Sequence, residues 1–166
     1  MIHGASGGIG TLAIQFAKER GAKVLAVASG EGRRCAGAAI GADAAVDGHS
    51  GDFVEAAFKF APKGVDAVRV LGSEDSVLRC FDALRQGGRL AYPHGIDPEP
   101  EKRRSPKVIG CDTKAGVREF EKLNRAVEKA RLQVPIAAEF TLPEAAEAHR
   151  RIDQGHVLGK IVLRIR

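Results

Sequence analysis

Hydrophobic and polar positions along this chain fall into blocks that switch repeatedly between the period of a helix and the period of a strand. After a short start, Met1-Ile2-His3, the residues Ile9, Leu12, Ala13, Phe16 and Ala17 recur at helical spacing, with Thr11, Gln15, Lys18 and Glu19 on the other face. Gly21 stops that helix, and Lys23-Val24-Leu25-Ala26-Val27-Ala28 reads as a buried strand. A weak helix over 31–39, loosened by Gly37, leads to a short strand at 44–47 and a helix over about 52–60. The run 65–71 predicts a strand, 74–86 a helix and 88–92 a strand. Beyond a Pro-rich loop from Pro93 to Pro106 come a short strand at 107–110 and a long helix with Val117, Phe120, Leu123, Val127 and Ala130 on one face. The tail departs from this alternation, with strands at 136–140 and 160–165 flanking a single helix. That helix opens on a Thr141-x-x-Glu144 capping box, has Pro143 in its first turn and ends at Gly155.

Strands alternating with helices at this spacing imply right-handed βαβ units. The expected class is α/β, a Rossmann-type doubly wound parallel sheet with a C-terminal strand–helix–strand tail. The expected division is a nucleotide-binding unit over 1–134 and the tail over 135–166. The 166 residues suffice for one buried core, and 44% hydrophobic with 28% charged residues is ordinary for a globular protein. No apolar run approaches the roughly 20 residues of a membrane span, and no secretory signal opens the chain, so no membrane partner is expected. Cys35, Cys80 and Cys111 are odd in number and lack metal-ligand spacing, which favours a reduced, cytoplasmic setting. The net charge of +5 comes partly from Glu101-Lys102-Arg103-Arg104-Ser105-Pro106-Lys107, which reads as a solvated basic loop. With no Trp, one Tyr and no recognition motif, nucleic-acid binding is not expected.

The candidate chemistry begins at Gly4-Ala5-Ser6-Gly7-Gly8-Ile9-Gly10, between a strand remnant and a helix. Taking Ala5 as the first small residue gives Ala-x-Gly-x-x-Gly: Gly7 lets backbone approach a pyrophosphate, and Gly10 allows close helix–strand packing. The helix N-terminus then offers free N–H groups and a positive dipole to phosphates. A P-loop is excluded because no Lys-Ser or Lys-Thr follows the last glycine. Gly4-x-x-x-Gly8-x-Gly10 also matches the short-chain dehydrogenase fingerprint, with His3 where Thr is usual. Those enzymes need a Tyr-x-x-x-Lys pair, and the single tyrosine, Tyr92, is followed four places on by Ile96.

The nucleotide is read from the end of the second strand. There an NAD site usually places an acid on the ribose hydroxyls, but this chain has Ala28-Ser29-Gly30, then Glu31-Gly32-Arg33-Arg34. Ser29 with Arg33 or Arg34 suits a 2′-phosphate, so NADP(H) is favoured, while Glu31 keeps NAD(H) possible.

Several stretches together resemble the medium-chain dehydrogenase/reductase superfamily. They are the glycine turn with Ala13-Ile-Gln-Phe-Ala-Lys18 and Gly21-Ala22-Lys23-Val24, then Ile40-Gly-Ala-Asp-Ala-Ala-Val-Asp47, Leu84-Arg-Gln-Gly-Gly-Arg-Leu90, and the ending Glu144-Ala-Ala-Glu-Ala-His149 with Gly155 to Leu163. The nearest branch resembles the zinc-free quinone oxidoreductases, grouped with the zinc-binding dehydrogenases. The resemblance implies an NADP(H)-dependent oxidoreductase that passes hydride between nicotinamide and a quinone, carbonyl or activated alkene as small-molecule substrate. Carried over by position, the cofactor contacts are Ala5, Ser6, Gly7, Gly8, Ile9 and Gly10, then Ser29 and Arg33, Leu71 and Gly72, and Tyr92, Pro93, His94 and Gly95.

The departures shape the rest of the expectation. The family carries a GroES-like catalytic domain ahead of the first strand, with its zinc ligands and much of the substrate pocket, and the expected chain is a cofactor domain truncated or encoded apart from it. No zinc is expected, and His149 and His156 read as surface or capping residues. His94 stands on the nicotinamide side, where an imidazole can act as acid or base, with no evident partner to orient it. A family tyrosine near the adenine-side phosphate is replaced by Gly48, and Arg69 puts a charge in a strand expected to be buried. The tail strands pack on the catalytic domain in the family, so here they are expected to pair with each other, the sheet or another chain. A homodimer, or a partner chain that supplies the catalytic domain, is the expected assembly. The alternatives are a non-catalytic NADP(H)-binding module and a fragment without independent activity.

Overall fold

The computed structural model describes residues 1–29, 40–49, 52–71, 74–95, 105–112, 116–155 and 157–166. Six parallel strands form one sheet: β1 (Ile2–His3), β2 (Leu25–Ala28), β3 (Ala44–Asp47), β4 (Val65–Val70), β5 (Leu84–Pro93) and β6 (Lys107–Cys111). Their spatial order is β3-β2-β1-β4-β5-β6, the doubly wound order with its reversal between β1 and β4. Ile2 lies opposite Ala26 on one side and Arg69 on the other, so even a two-residue β1 joins both halves. The helices are α1 (Gly10–Glu19), α2 (Phe53–Phe60), α3 (Glu74–Asp82), α4 (Val117–Ala130) and α5 (Ala145–Asp153). The helix expected over 31–39 lies outside the described residues.

Two cores lie on opposite faces of the sheet. Leu25, Val27, Phe53, Val70, Leu90 and Tyr92 belong to one, with α2 and α3 over it; Ile2, Ala5, Ile14, Ala26 and Ala28 belong to the other, beneath α1. Asp52 accepts hydrogen bonds from the N–H groups of Val54 and Glu55 and caps α2. The predicted face of α1 is met in part: Ala13 and Ala17 pack with the buried Ile14 against the core, whereas Ile9 is exposed and Thr11 is buried.

Helix α3 stops at Asp82, four residues before the expected end. Leu84 instead begins a longer β5 and pairs with Val65, and a register shift separates this pair from Ala67 opposite Arg89. Arg85 Nε bonds Asp66 Oδ1 at 2.6 Å across that irregularity, and Gly87 takes a φ of +71°. Arg69 is half-buried, at the wall of a cavity of about 570 Å³ beneath the amino end of β1, so its charge is not sealed in the core.

The long helix departs most from expectation. Val117 is 77% and Phe120 64% exposed, with Leu123 and Val127 also open, so the stripe faces away from the sheet. Helix α4 is held instead by a Lys129–Glu19 ion pair of 2.5 Å to α1. The tail strands β7 (Ile136–Thr141) and β8 (Lys160–Arg164) pair with each other, in parallel, as a separate two-stranded sheet. The capping box is formed, with the Thr141 N–H donating to Glu144 Oε2 at 2.7 Å, and a 3₁₀ turn at Leu142–Glu144 leads into α5. Among the described residues no helix is long and apolar enough to cross a membrane.

His3, at the end of β1, gives the fold a pH-sensitive point. Burial, then the charges of Arg79 and His49, hold its imidazolium below the usual range. Its ring meets Phe53 edge-on at 5.2 Å, and its Nδ1 is buried with no hydrogen-bond partner among the described residues. The neutral ring is therefore the folded form. The unfolded chain takes up the proton first, so the stability contribution is present above about pH 6.5 and is lost as pH falls below it. The His3→Gln variant should lose less stability than the wild type between pH 7 and 5.5 in paired urea titrations. Parallel curves over that range would show that His3 does not titrate in this way.

Candidate functional site

The carboxyl ends of the parallel strands converge on the glycine turn. The N–H groups of Gly4 and Ala5 both donate to the Val27 carbonyl at 3.0 Å, which fastens the turn to β2. Gly4 has a φ of +79°, and a Cβ there would lie 3.0 Å from the Leu71 Cβ and carbonyl oxygen. Its lack of a side chain is what lets the end of β4 close on the turn. Gly10 is packed against the Gly4 carbonyl oxygen, and a Cβ on it would sit 2.7 Å from the Ala5 Cα. Helix and turn thus touch backbone to backbone.

This closeness aims α1 at the turn. The helix starts at Gly10 with Ile9 at its cap position and, among the described residues, no side chain caps it. Thr11, in the same first turn, is buried, and its hydroxyl has no hydrogen-bond partner among the described residues. Gly7 has open space where a Cβ would point, its nearest neighbour being the Gly4 carbonyl oxygen at 3.6 Å. The Thr11 and Gly7 N–H groups are bonded to the Gly7 and Gly4 carbonyls, and the helix dipole with the open Gly7 position suits the phosphates of a dinucleotide.

The other sequence-derived residues take their places along the same rim. Ser29 follows β2 and is half-buried, facing Gly48: a Cβ on Gly48 would lie 3.6 Å from Ser29 Oγ and 3.1 Å from Val27 Cγ1. Leu71 follows β4, its N–H donating to the His3 carbonyl at 3.0 Å. Tyr92 and Pro93 end β5, with His94 and Gly95 in the turn beyond. Tyr92 is only 1% exposed, so its side chain serves the core and only its backbone faces the rim. Arg33, Gly72 and His156 lie outside the described residues, as do Glu31 and Arg34. His149 is exposed on α5.

His94 does have an orienting neighbour, contrary to the expectation from sequence. Its Nε2 is 3.3 Å from Asp112 Oδ2, just past the end of β6. Lys160 is the residue that sequence reasoning passed over. Its stem lies on Gly8, where a Cβ would fall 2.5 Å from Lys160 Cε and Nζ. A tertiary fold brings these positions together across most of the chain, and nothing in the local pattern around Lys160 signals it. The cavity of about 570 Å³ is lined mainly from the amino ends of the strands, by Met1, Lys23, Val24 and Val65, and by no residue of the glycine turn. In an open α/β sheet the ligand crevice is at the carboxyl rim, so the glycine turn and not that cavity is the candidate site.

A family model described as zinc-binding dehydrogenase matches residues 40–163. The chain belongs to the zinc-binding dehydrogenase family. It corresponds to the C-terminal, cofactor-binding domain of a medium-chain dehydrogenase/reductase. It is 27% identical to quinone oxidoreductase of Mus musculus over 178 aligned positions, which cover 98% of this chain and 54% of that protein. The solved quinone oxidoreductase from Coxiella burnetii superposes with a TM-score of 0.83 at 31% identity, covering 99% of this chain and 52% of the other. A solved NAD-dependent alcohol dehydrogenase gives 0.83 at 26% identity, covering 99% and 50%. The chain thus spans about half the length of the relatives it matches. Among the described residues no three His, Cys, Asp or Glu side chains come together as a ligand group.

Proposed function

We propose that this zinc-binding dehydrogenase family domain binds NADP(H) and serves an oxidoreductase that transfers hydride to or from a quinone, carbonyl or activated alkene. The observation that carries the reading is the backbone-to-backbone approach of Gly10 to Gly4 and Ala5 at the switch point of a 3-2-1-4-5-6 sheet. Such an approach brings the glycine backbone of the turn up against the start of α1, which no side chain caps among the described residues. In this reading Ala5 to Gly10 hold the diphosphate, and Ser29 with Arg33 reads the 2′-phosphate. Leu71, Gly72 and the Tyr92–Gly95 turn line the nicotinamide side. A bound nicotinamide supplies two electrons and a proton as hydride, and the second proton of a quinone's reduction comes from water or an acid at the rim. His94, with Asp112 beside it, is placed on that rim.

The test is titration of the purified chain with NADPH and with NADH, followed by nucleotide fluorescence. Saturable binding with NADPH the tighter ligand is expected; no saturation with either would overturn the reading. Adding 1,4-benzoquinone to the loaded protein then separates a domain competent in turnover from a binding module. The exposed stripe of α4 favours a domain that works beside another polypeptide, since apolar surface of that kind is normally covered.

A further inference from the structure

We propose that Lys160, from the last strand, is a diphosphate ligand that reaches across the molecule to complete the glycine-turn site. The inference rests on the dinucleotide reading above and deepens it. Three observations place the residue. The Gly159 N–H donates to the Ser6 carbonyl at 2.9 Å, and Gly159 forms an isolated parallel bridge with Gly7, so β8 starts on the glycine turn itself. Gly159 has a φ of +78°, and a Cβ there would strike the Pro135 carbonyl, so the chain turns sharply at this point into β8. The Lys160 N–H then donates to the Pro135 carbonyl at 2.9 Å, which fixes its backbone and sends the stem over Gly8.

The electrostatics point the same way. Lys18 pairs with Asp43, Lys59 with Glu55 and Lys129 with Glu19, whereas Lys160 has no carboxylate partner among the described residues. An unpaired ammonium held on a glycine face of the turn adds a point charge to the dipole of α1. The helix N-terminus and the Lys160 ammonium thus meet at one glycine turn, where both favour an anion. The turn supplies shape and N–H groups, and the tail supplies the charge.

The experiment compares the wild type with Lys160→Met and Lys160→Arg, measuring the Kd for NADPH and for NADH at low and moderate salt, and the Tm without ligand. The diphosphate is common to both nucleotides, so Lys160→Met should weaken both by a similar factor of about tenfold, with Lys160→Arg within a few-fold of wild type. The salt dependence of Kd should flatten in Lys160→Met, which a structural role would not produce. The ligand-free Tm should stay unchanged, since the side chain is exposed. Loss confined to NADPH would assign Lys160 to the 2′-phosphate and overturn the proposal. So would Lys160→Met binding both nucleotides as the wild type does. Failure of the wild type to bind either nucleotide would instead overturn the underlying reading, and this proposal with it.

Discussion

Gly10→Ala should cost the protein both stability and its nucleotide. The new methyl would meet the Gly4 carbonyl oxygen, the Ala5 Cα and the Ala5 carbonyl carbon, all of them backbone and none able to swing aside. Overpacking of this kind costs about 1–3 kcal/mol, and the rigid neighbours put this site at the upper end. For a chain of this size about 3 kcal/mol lowers Tm by roughly 6–12 °C. Relief comes only from lifting α1 off the turn, which moves the amides that would face the phosphates. NADPH affinity should fall at least about a hundredfold. Gly7→Ala is the informative partner. Its Cβ has only the Gly4 carbonyl oxygen near it, at 3.6 Å, so the ligand-free fold should keep its Tm. Its methyl would nonetheless stand on the surface proposed for the diphosphate, and affinity should drop as it does in Gly10→Ala. A Gly7→Ala protein that binds NADPH normally would remove the diphosphate from this turn.

The contrast between these two glycines shows what a sequence can carry. The spacing of Gly4, Gly7, Gly8 and Gly10 announces a turn between strand and helix, and the strand–helix alternation announces the sheet around it, because both depend on local periods. Which glycine is closed by backbone and which lies open is a tertiary property. So is the end of α3: residues 84–86 suit a helix locally, but the pairing of Leu84 with Val65 and the Arg85–Asp66 ion pair draw them into β5. The stripe of α4 was legible as amphipathic and not as exposed, since periodicity states that a helix has an apolar face and not what covers it. Likewise Asp112 beside His94 and Lys160 over Gly8 are contacts made by the order of strands in the sheet and the return of the tail. No spacing in the chain encodes them.

The return of the tail makes Gly159→Ala the second substitution of large effect. Two penalties meet there. A φ of +78° costs an alanine about 1–2 kcal/mol, and the methyl would collide with the Pro135 carbonyl, with the Pro135 Cβ at 2.8 Å. The cheapest relief is local. The β7–β8 sheet is separate from the six-stranded sheet, and at its start it is joined to the glycine turn by the Gly159–Ser6 bond. A second clasp, between Gln15 and the backbone of Gln133, holds the approach to β7 on α1, with Gln133 N–H donating to Gln15 Oε1 at 2.7 Å. Gly159→Ala should therefore release β8 from the turn while the larger sheet stays folded. Amide exchange should speed up in β7 and β8 and stay slow in β2, β4 and β5. With Lys160 carried away from Gly8, NADPH affinity should fall by the same factor as in Lys160→Met. The double variant should be no weaker than either single one, because both changes remove one interaction. Additive losses would mean that the tail and Lys160 act on the nucleotide independently, and that the charge is not delivered through the Gly159 turn.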